Sequence, residues 1–176
     1  MQADYFRLCY LFCEGGLYVD ADDECVGQIE RLFRDGRLKL QPLCYDITSA
    51  TMVASSEFLK VDAFDPAWIF YFNNNPLVAL PGHPIIERAL GLATSLLNES
   101  SADTLPEIQA TTGPGNLSRS IFEFALATRS DLRGEILIVD DWESIAISKW
   151  PLSYRSDSRN WRLSNQKRFD FKDSLT

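Results

Sequence analysis

Apolar residues recur at helical spacing over residues 4–13, where Leu8, Leu11 and Phe12 share one face of a stretch free of Gly and Pro. Asp4 stands at its start, where a carboxylate can cap free N–H groups and favour the positive end of the helix dipole. Gly15-Gly16 closes the pattern, since glycine takes the left-handed conformation of a C-cap without penalty. Leu17-Tyr18-Val19 is short, apolar and β-prone, which predicts a buried strand over residues 17–20. Ile29, Leu32 and Phe33 are spaced as in a short helix or a covering loop, and residues 38–43 read as a strand. The run Trp68-Ile69-Phe70-Tyr71-Phe72 predicts another strand, followed by Asn73-Asn74-Asn75-Pro76 and then the apolar Leu77-Val78-Ala79-Leu80. Pro84 suits the first turn of a helix over residues 85–97, with Ile86, Leu90 and Ala93 along its apolar face. Residues 98–107 form a polar linker, and Thr111-Thr112-Gly113-Pro114-Gly115 precedes a helix over 117–127 carrying Ile121, Phe122, Phe124 and Leu126. Glu135 to Val139 is a last buried strand, running into Asp140-Asp141-Trp142. This alternation predicts an α/β domain with the strands at 17–20, 68–72 and 135–139 in one sheet.

With 176 residues the chain is long enough for one domain with a sizeable core, expected over residues 1–176 with 150–176 as a C-terminal flap or tail. A net charge of −8 argues against nucleic acid or an anionic membrane as main partner, because both need a basic face. Against this acidic body, Arg155, Arg159, Arg162, Lys167 and Arg168 make the C-terminal segment locally basic. Cys9, Cys13, Cys25 and Cys44 include no C-x-x-C pair and have no histidine partners, so they read as buried free thiols, not a zinc set. Free thiols favour a reducing compartment, and a cytoplasmic location is expected. No apolar run approaches the ~20 residues of a membrane-spanning helix, and no basic-led signal peptide is present. His83, the single histidine, reads as a helix-start or packing residue and is given no catalytic role.

The chemistry concentrates after the first strand, where Asp20, Asp22 and Asp23 crowd three carboxylates into four residues. Such a knot is either a solvated acidic turn or a site for a hard cation, Mg²⁺ or Mn²⁺, of the kind that keeps waters and bridges to substrate phosphates. Asp4 and Arg7, three apart on the helix, share a face that the glycine reversal can turn toward the strand end. The block A-D-x-x-R-x-x-x-L-x-x-x-G-G-x-Y-x-D-x-D over residues 3–22 resembles the signature of the DxD-containing sugar-binding glycosyltransferases. That group includes the yeast-type initiating mannosyltransferases, bacterial capsule and lipopolysaccharide transferases, and the glucosylating domains of large clostridial toxins. The resemblance extends to an Asn-bearing strand, to P-G-H-P opening a helix, and to T-G-P before the next one.

The resemblance implies a GT-A-like fold and a metal-dependent glycosyltransferase domain, incomplete at its N-terminus. It would transfer a hexose from a UDP- or GDP-sugar to a glycan, lipid or protein acceptor with retention of configuration. Asp20 and Asp22 would be the catalytic pair, with Asp22 ligating Mn²⁺ or Mg²⁺ directly and Asp20 mostly through water. Asp4, Arg7, Tyr18, Asn73 and Trp161 would bind the donor, and Asn160 would be a late metal ligand. In that family a nucleotide-binding half precedes the DxD block. The chain is therefore expected to be a fragment, a split product, or a domain leaning on a partner chain, cytoplasmic or part of a larger Golgi-type enzyme. Two alternatives stand beside this reading. One is a non-catalytic remnant that binds sugar or a partner. The other is a haloacid-dehalogenase-like phosphohydrolase using Asp20 and Asp22 with Asp140 and Asp141, although Glu24 stands where that motif wants Thr or Val.

Overall fold

A computed structural model describes residues 1–60, 65–101, 106–129 and 131–149. Helix α1 (Gln2–Cys13) buries Leu8 and Leu11 as its spacing predicts, with Phe12 partly buried against the same core. It ends where Gly15, at φ +67°, turns the chain back; a Cβ there would sit 2.6 Å from the Pro81 ring and 2.8 Å from the Ala79 carbonyl. The reversal delivers β1 (Gly16–Tyr18), which runs antiparallel to β5 (Trp68–Ala79). The other strands are β2 (Asp23–Cys25), β3 (Leu38–Asp46), β4 (Thr51–Val53), β6 (Ile136–Ile138) and β7 (Ala146–Ser148). The main sheet has the order β1-β5-β3-β4, with β6 parallel to β3 beside Leu38–Leu40. Strands β2 and β7 pair separately and antiparallel. The three strands expected in one sheet are in one sheet, and the fold is mixed α/β.

Alternation along the strands sends neighbours to opposite faces. Leu77 joins the larger core under α1, α3 (Pro84–Asn98) and α5 (Pro114–Thr128), while Val78 joins a smaller one around Leu32, Trp142 and Ile145. His83 caps α3, its Nδ1 accepting from the Ile85 N–H at 3.3 Å, so the lone histidine is a buried helix-start residue. The short helices are α2 (Ser55–Phe58) and α4 (Ile108–Thr111).

Four expectations need correction. The strand begun at Trp68 does not stop at Phe72 but runs through the asparagines and Pro76 to Ala79. It does so by bulging: Leu40 opposes Leu77 and Pro42 opposes Phe72, so residues 73–76 face the single residue Gln41. The segment around Ile29 forms only one 3-10 turn, Glu30–Phe33, with Leu32 buried and Phe33 half-exposed. Helix α5 buries Leu117 and Ile121 but leaves Leu126 80% exposed, and Phe122 instead lines an apolar groove with Phe70 and Phe72. The cysteines are unpaired as expected, yet Cys13 and Cys25 are exposed and only Cys44 is buried. No helix among the described residues is long and apolar enough to cross a membrane.

Candidate functional site

Each aspartate of the acidic loop has a different partner. The Asp20 backbone N–H donates to Asn75 Oδ1 at 2.9 Å, and the Asp23 N–H closes the turn onto the Asp20 carbonyl at 3.0 Å. Asp23 Oδ2 accepts from Asn75 Nδ2 at 2.9 Å. Asp22 Oδ2 accepts from the Ser148 hydroxyl at 3.2 Å, and its carbonyl from the Lys149 N–H at 2.8 Å, so β7 holds the loop from the far side. Asp20 Oδ1 accepts from Arg7 at 2.9 Å. Burial pushes the Asp20 carboxyl above its ordinary value against the pull of Arg7, and the charges of Asp22, Asp23 and Asp4 add to the rise.

Arg7 is 4% exposed, so its charge is buried and must be met. One guanidinium nitrogen donates to the Asn74 carbonyl. The other reaches Asp20 at 2.9 Å and the Tyr18 hydroxyl at 3.4 Å, with Asp4 at 3.6 Å. The guanidinium also lies over the Tyr18 ring, 4.2 Å from its centre. Its buried Nε–H has no acceptor among the described residues. Asp4 lies in the first turn of α1 and accepts from Asn74 Nδ2 at 3.1 Å. The i, i+3 pair and the DxD loop are therefore together, as the sequence leads one to expect.

Part of this constellation lines a pocket of about 310 Å³. Asp4, Arg7, Asp20, Asn73 and Asn74 face it from α1, the loop and the bulge, and Gln109 and Gly113 face it from α4 and the start of α5. Asn73 donates to Gln41 across the bulge at 3.2 Å. The glycines of T-G-P-G serve packing: a Cβ at Gly115 would lie 2.8 Å from the Gln109 carbonyl, and one at Gly113 3.0 Å from the Gln109 Cα. Sequence reasoning named Asn73 but missed Asn74, Asn75 and Gln109. A signal for the first two existed, because three asparagines are out of place in a β-prone run unless something engages their amides. Asn160 and Trp161 lie outside the described residues.

Among the described residues no group of three or more His, Cys, Asp and Glu side chains is arranged to hold a metal ion. Asp20 is shared with Arg7 and Asp23 is held by Asn75, so an all-protein cage does not fit. A magnesium-type shell, made of one or two carboxylates with the remainder water and phosphate, is compatible with the carboxylates of this loop. The phosphohydrolase alternative fares worse. Strand β6, which leads to Asp140 and Asp141, is separated from β1 by β3 and β5, and Asp141 is paired with Arg31 at 2.7 Å.

Residues 1–39 match a family described as the glycosyltransferase sugar-binding region containing a DXD motif. The match spans α1, the glycine reversal, β1 and the acidic loop, and includes the pocket residues Asp4, Arg7 and Asp20. The similarity to that family is thus confined to the first 39 residues. Among solved structures, one titled PaToxG Glycosyltransferase is similar at 20% identity and a TM-score of 0.47, over 75% of this chain and 38% of that one. No curated protein matches.

Proposed function

We propose that the pocket binds the hexose of a nucleotide sugar, UDP- or GDP-linked, within a cation-assisted glycosyltransferase site. The observation that carries this is the buried Arg7, which lines the pocket together with the Asp4 and Asp20 carboxylates. A sugar hydroxyl both donates and accepts, so it satisfies a guanidinium N–H and a carboxylate oxygen at once. Tyr18 holds the guanidinium plane, and Asn73 and Asn74 add amide groups around the ring. Asp22, with Asp20 beside it, would hold Mn²⁺ or Mg²⁺, which when bound neutralises the leaving diphosphate. In the transfer the bond from the anomeric carbon to the diphosphate oxygen breaks, and the oxygen of an acceptor hydroxyl takes its place. Retention of configuration and a glycan, lipid or protein acceptor follow from the family resemblance. Unpaired cysteines, two of them exposed, support a reducing setting such as the cytoplasm.

Titration with Mn²⁺ in the presence of UDP or GDP tests the site. Asp22→Asn should weaken Mn²⁺ binding by at least about tenfold, since even outer-shell changes cost that much. Asp23→Asn, whose amide can still accept from Asn75, should change it by only about twofold. Equal losses would overturn the assignment. Sugar binding without turnover is the second reading, favoured by the engagement of Asp20 and Asp23 in protein bonds. Release of nucleoside diphosphate from a panel of UDP- and GDP-sugars separates the two.

A further inference from the structure

We propose that Asn75 is a positioning residue that clamps the acidic loop, and that the Asp23 carboxylate belongs to this clamp, not to the cation. Its functional consequence rests on the glycosyltransferase reading above; the clamp itself does not. One amide bridges the two ends of the loop, accepting from the Asp20 N–H at 2.9 Å and donating to Asp23 Oδ2 at 2.9 Å. The partners fix which end of the amide is which, because a backbone N–H can only donate and a carboxylate only accept. A carboxylate at position 75 would repel Asp23, and a hydrocarbon would leave both partners unanswered.

The bulge explains how Asn75 gets there. Residues 73–76 stand against Gln41 alone, and Pro76 has no N–H to give to β3, so this part of β5 is released from the ladder and faces the loop. The clamp then divides the labour of three adjacent carboxylates. Asp23 is tied to Asn75, the Asp20 backbone is fixed so that its carboxylate meets Arg7, and the Asp22 carboxylate has, among the described residues, the Ser148 hydroxyl. Without the clamp the three carboxylates would repel one another into other loop shapes.

The test is a swap of polarity at constant charge. Asn75→Leu removes both bonds without changing charge. The double variant Asn75→Asp with Asp23→Asn restores them with donor and acceptor exchanged, since Oδ of residue 75 can accept from both the Asp20 N–H and the amide at 23. Two readouts are taken: hydrogen exchange of the Asp20 amide, and Mn²⁺ affinity in the presence of UDP. Asn75→Leu should speed the exchange and weaken Mn²⁺ binding, each by about tenfold, the effect of losing one or two ordinary hydrogen bonds. The swap should return both to within about threefold of wild type. A swap as damaged as Asn75→Leu would overturn the proposal, because it would mean that the Asp23 carboxylate is itself required. Should a variant fail to fold, the unaltered protein still decides. Asp20 lies between β1 and β2, outside any ladder, and its amide is protected from exchange only if Asn75 accepts from it. Wild-type protein that binds no Mn²⁺ would sink the transferase reading, while Asp20 exchange would go on reporting the clamp.

Discussion

Arg7→Lys separates a sugar clamp from a purely structural cation. Lysine keeps the charge but loses the fork, so one ammonium must replace a guanidinium that serves the Asn74 carbonyl, Asp20 and Tyr18 together. The ammonium can retain the Asp20 contact, the closest of the charged ones at 2.9 Å. What is lost is then the bond to the Asn74 carbonyl, the long bond to Tyr18 and much of the stacking on its ring. The Asp20 side chain is 44% exposed, which screens the ion pair and limits what any weakening of it can cost. Together these losses come to about 2 kcal/mol, a fall in Tm of about 4–8 °C for a chain of this size. That much is expected whether or not a sugar ever binds. The distinguishing measurement is calorimetry with Mn²⁺ and either UDP or GDP alone or the matching nucleotide sugar. If Arg7 grips the hexose, Arg7→Lys removes the extra affinity of the sugar donor by about tenfold or more, while nucleotide alone binds within about twofold of wild type. Parallel losses for nucleotide and nucleotide sugar would refute the clamp and leave Arg7 as a support for the acidic loop.

Gly15→Ala should destabilise the protein by more than about 2 kcal/mol, because a Cβ at φ +67° is strained and also meets the Pro81 ring and the Ala79 carbonyl; urea denaturation reads it, and a neutral result would contradict the reversal. The Asp20 carboxyl is raised above its ordinary value, chiefly by burial, so it holds its proton more tightly folded than unfolded. Its contribution to stability is then fully present below the unfolded value near 3.8 and is lost as pH rises through the higher folded one. Mn²⁺ needs the ionised form, so its affinity should fall as pH drops through that same raised value, and Asp20→Asn should flatten this dependence; an unchanged pH profile in the variant would assign the titration to another group.

Much of the pocket's near wall was legible in the sequence because it is local. The i, i+3 spacing of Asp4 and Arg7, the double glycine and the strand after it are consecutive, and the reversal they encode is enough to bring α1 against the acidic loop. The pocket's other contributors come from far along the chain, and periodicity does not report which loop meets which. Asn73–Asn75 read as a break after a strand because asparagine and proline are poor strand residues, yet the bulge against Gln41 accommodates all four residues within β5. Gln109 reaches the site because α4 packs closely on α5, through glycines that the sequence offered equally well as a ligand loop. The apolar run on α5 overstated its buried face: Phe122 and Leu126 have helical spacing, yet both are exposed among the described residues.

The charges around the pocket set an order on its chemistry. Among the described side chains, Asp4, Asp20, Asp22 and Asp23 face or flank a space to which Arg7 brings its guanidinium, already shared between Asp20 and the Asn74 carbonyl. A diphosphate entering such a space would meet more negative than positive charge from those described side chains, at separations where partly buried charges are weakly screened. A neutral hexose carries no such penalty and finds donors and acceptors in the same wall. The two halves of a nucleotide sugar therefore make opposite demands, the hexose on the Arg7 wall and the diphosphate on something able to reverse the sign of the acidic loop. In the proposed reading a divalent cation on Asp22 would do so while leaving Arg7 to the hexose, and Asp20, which accepts from Arg7 and feels the charge of Asp22, would be the residue that couples cation and sugar.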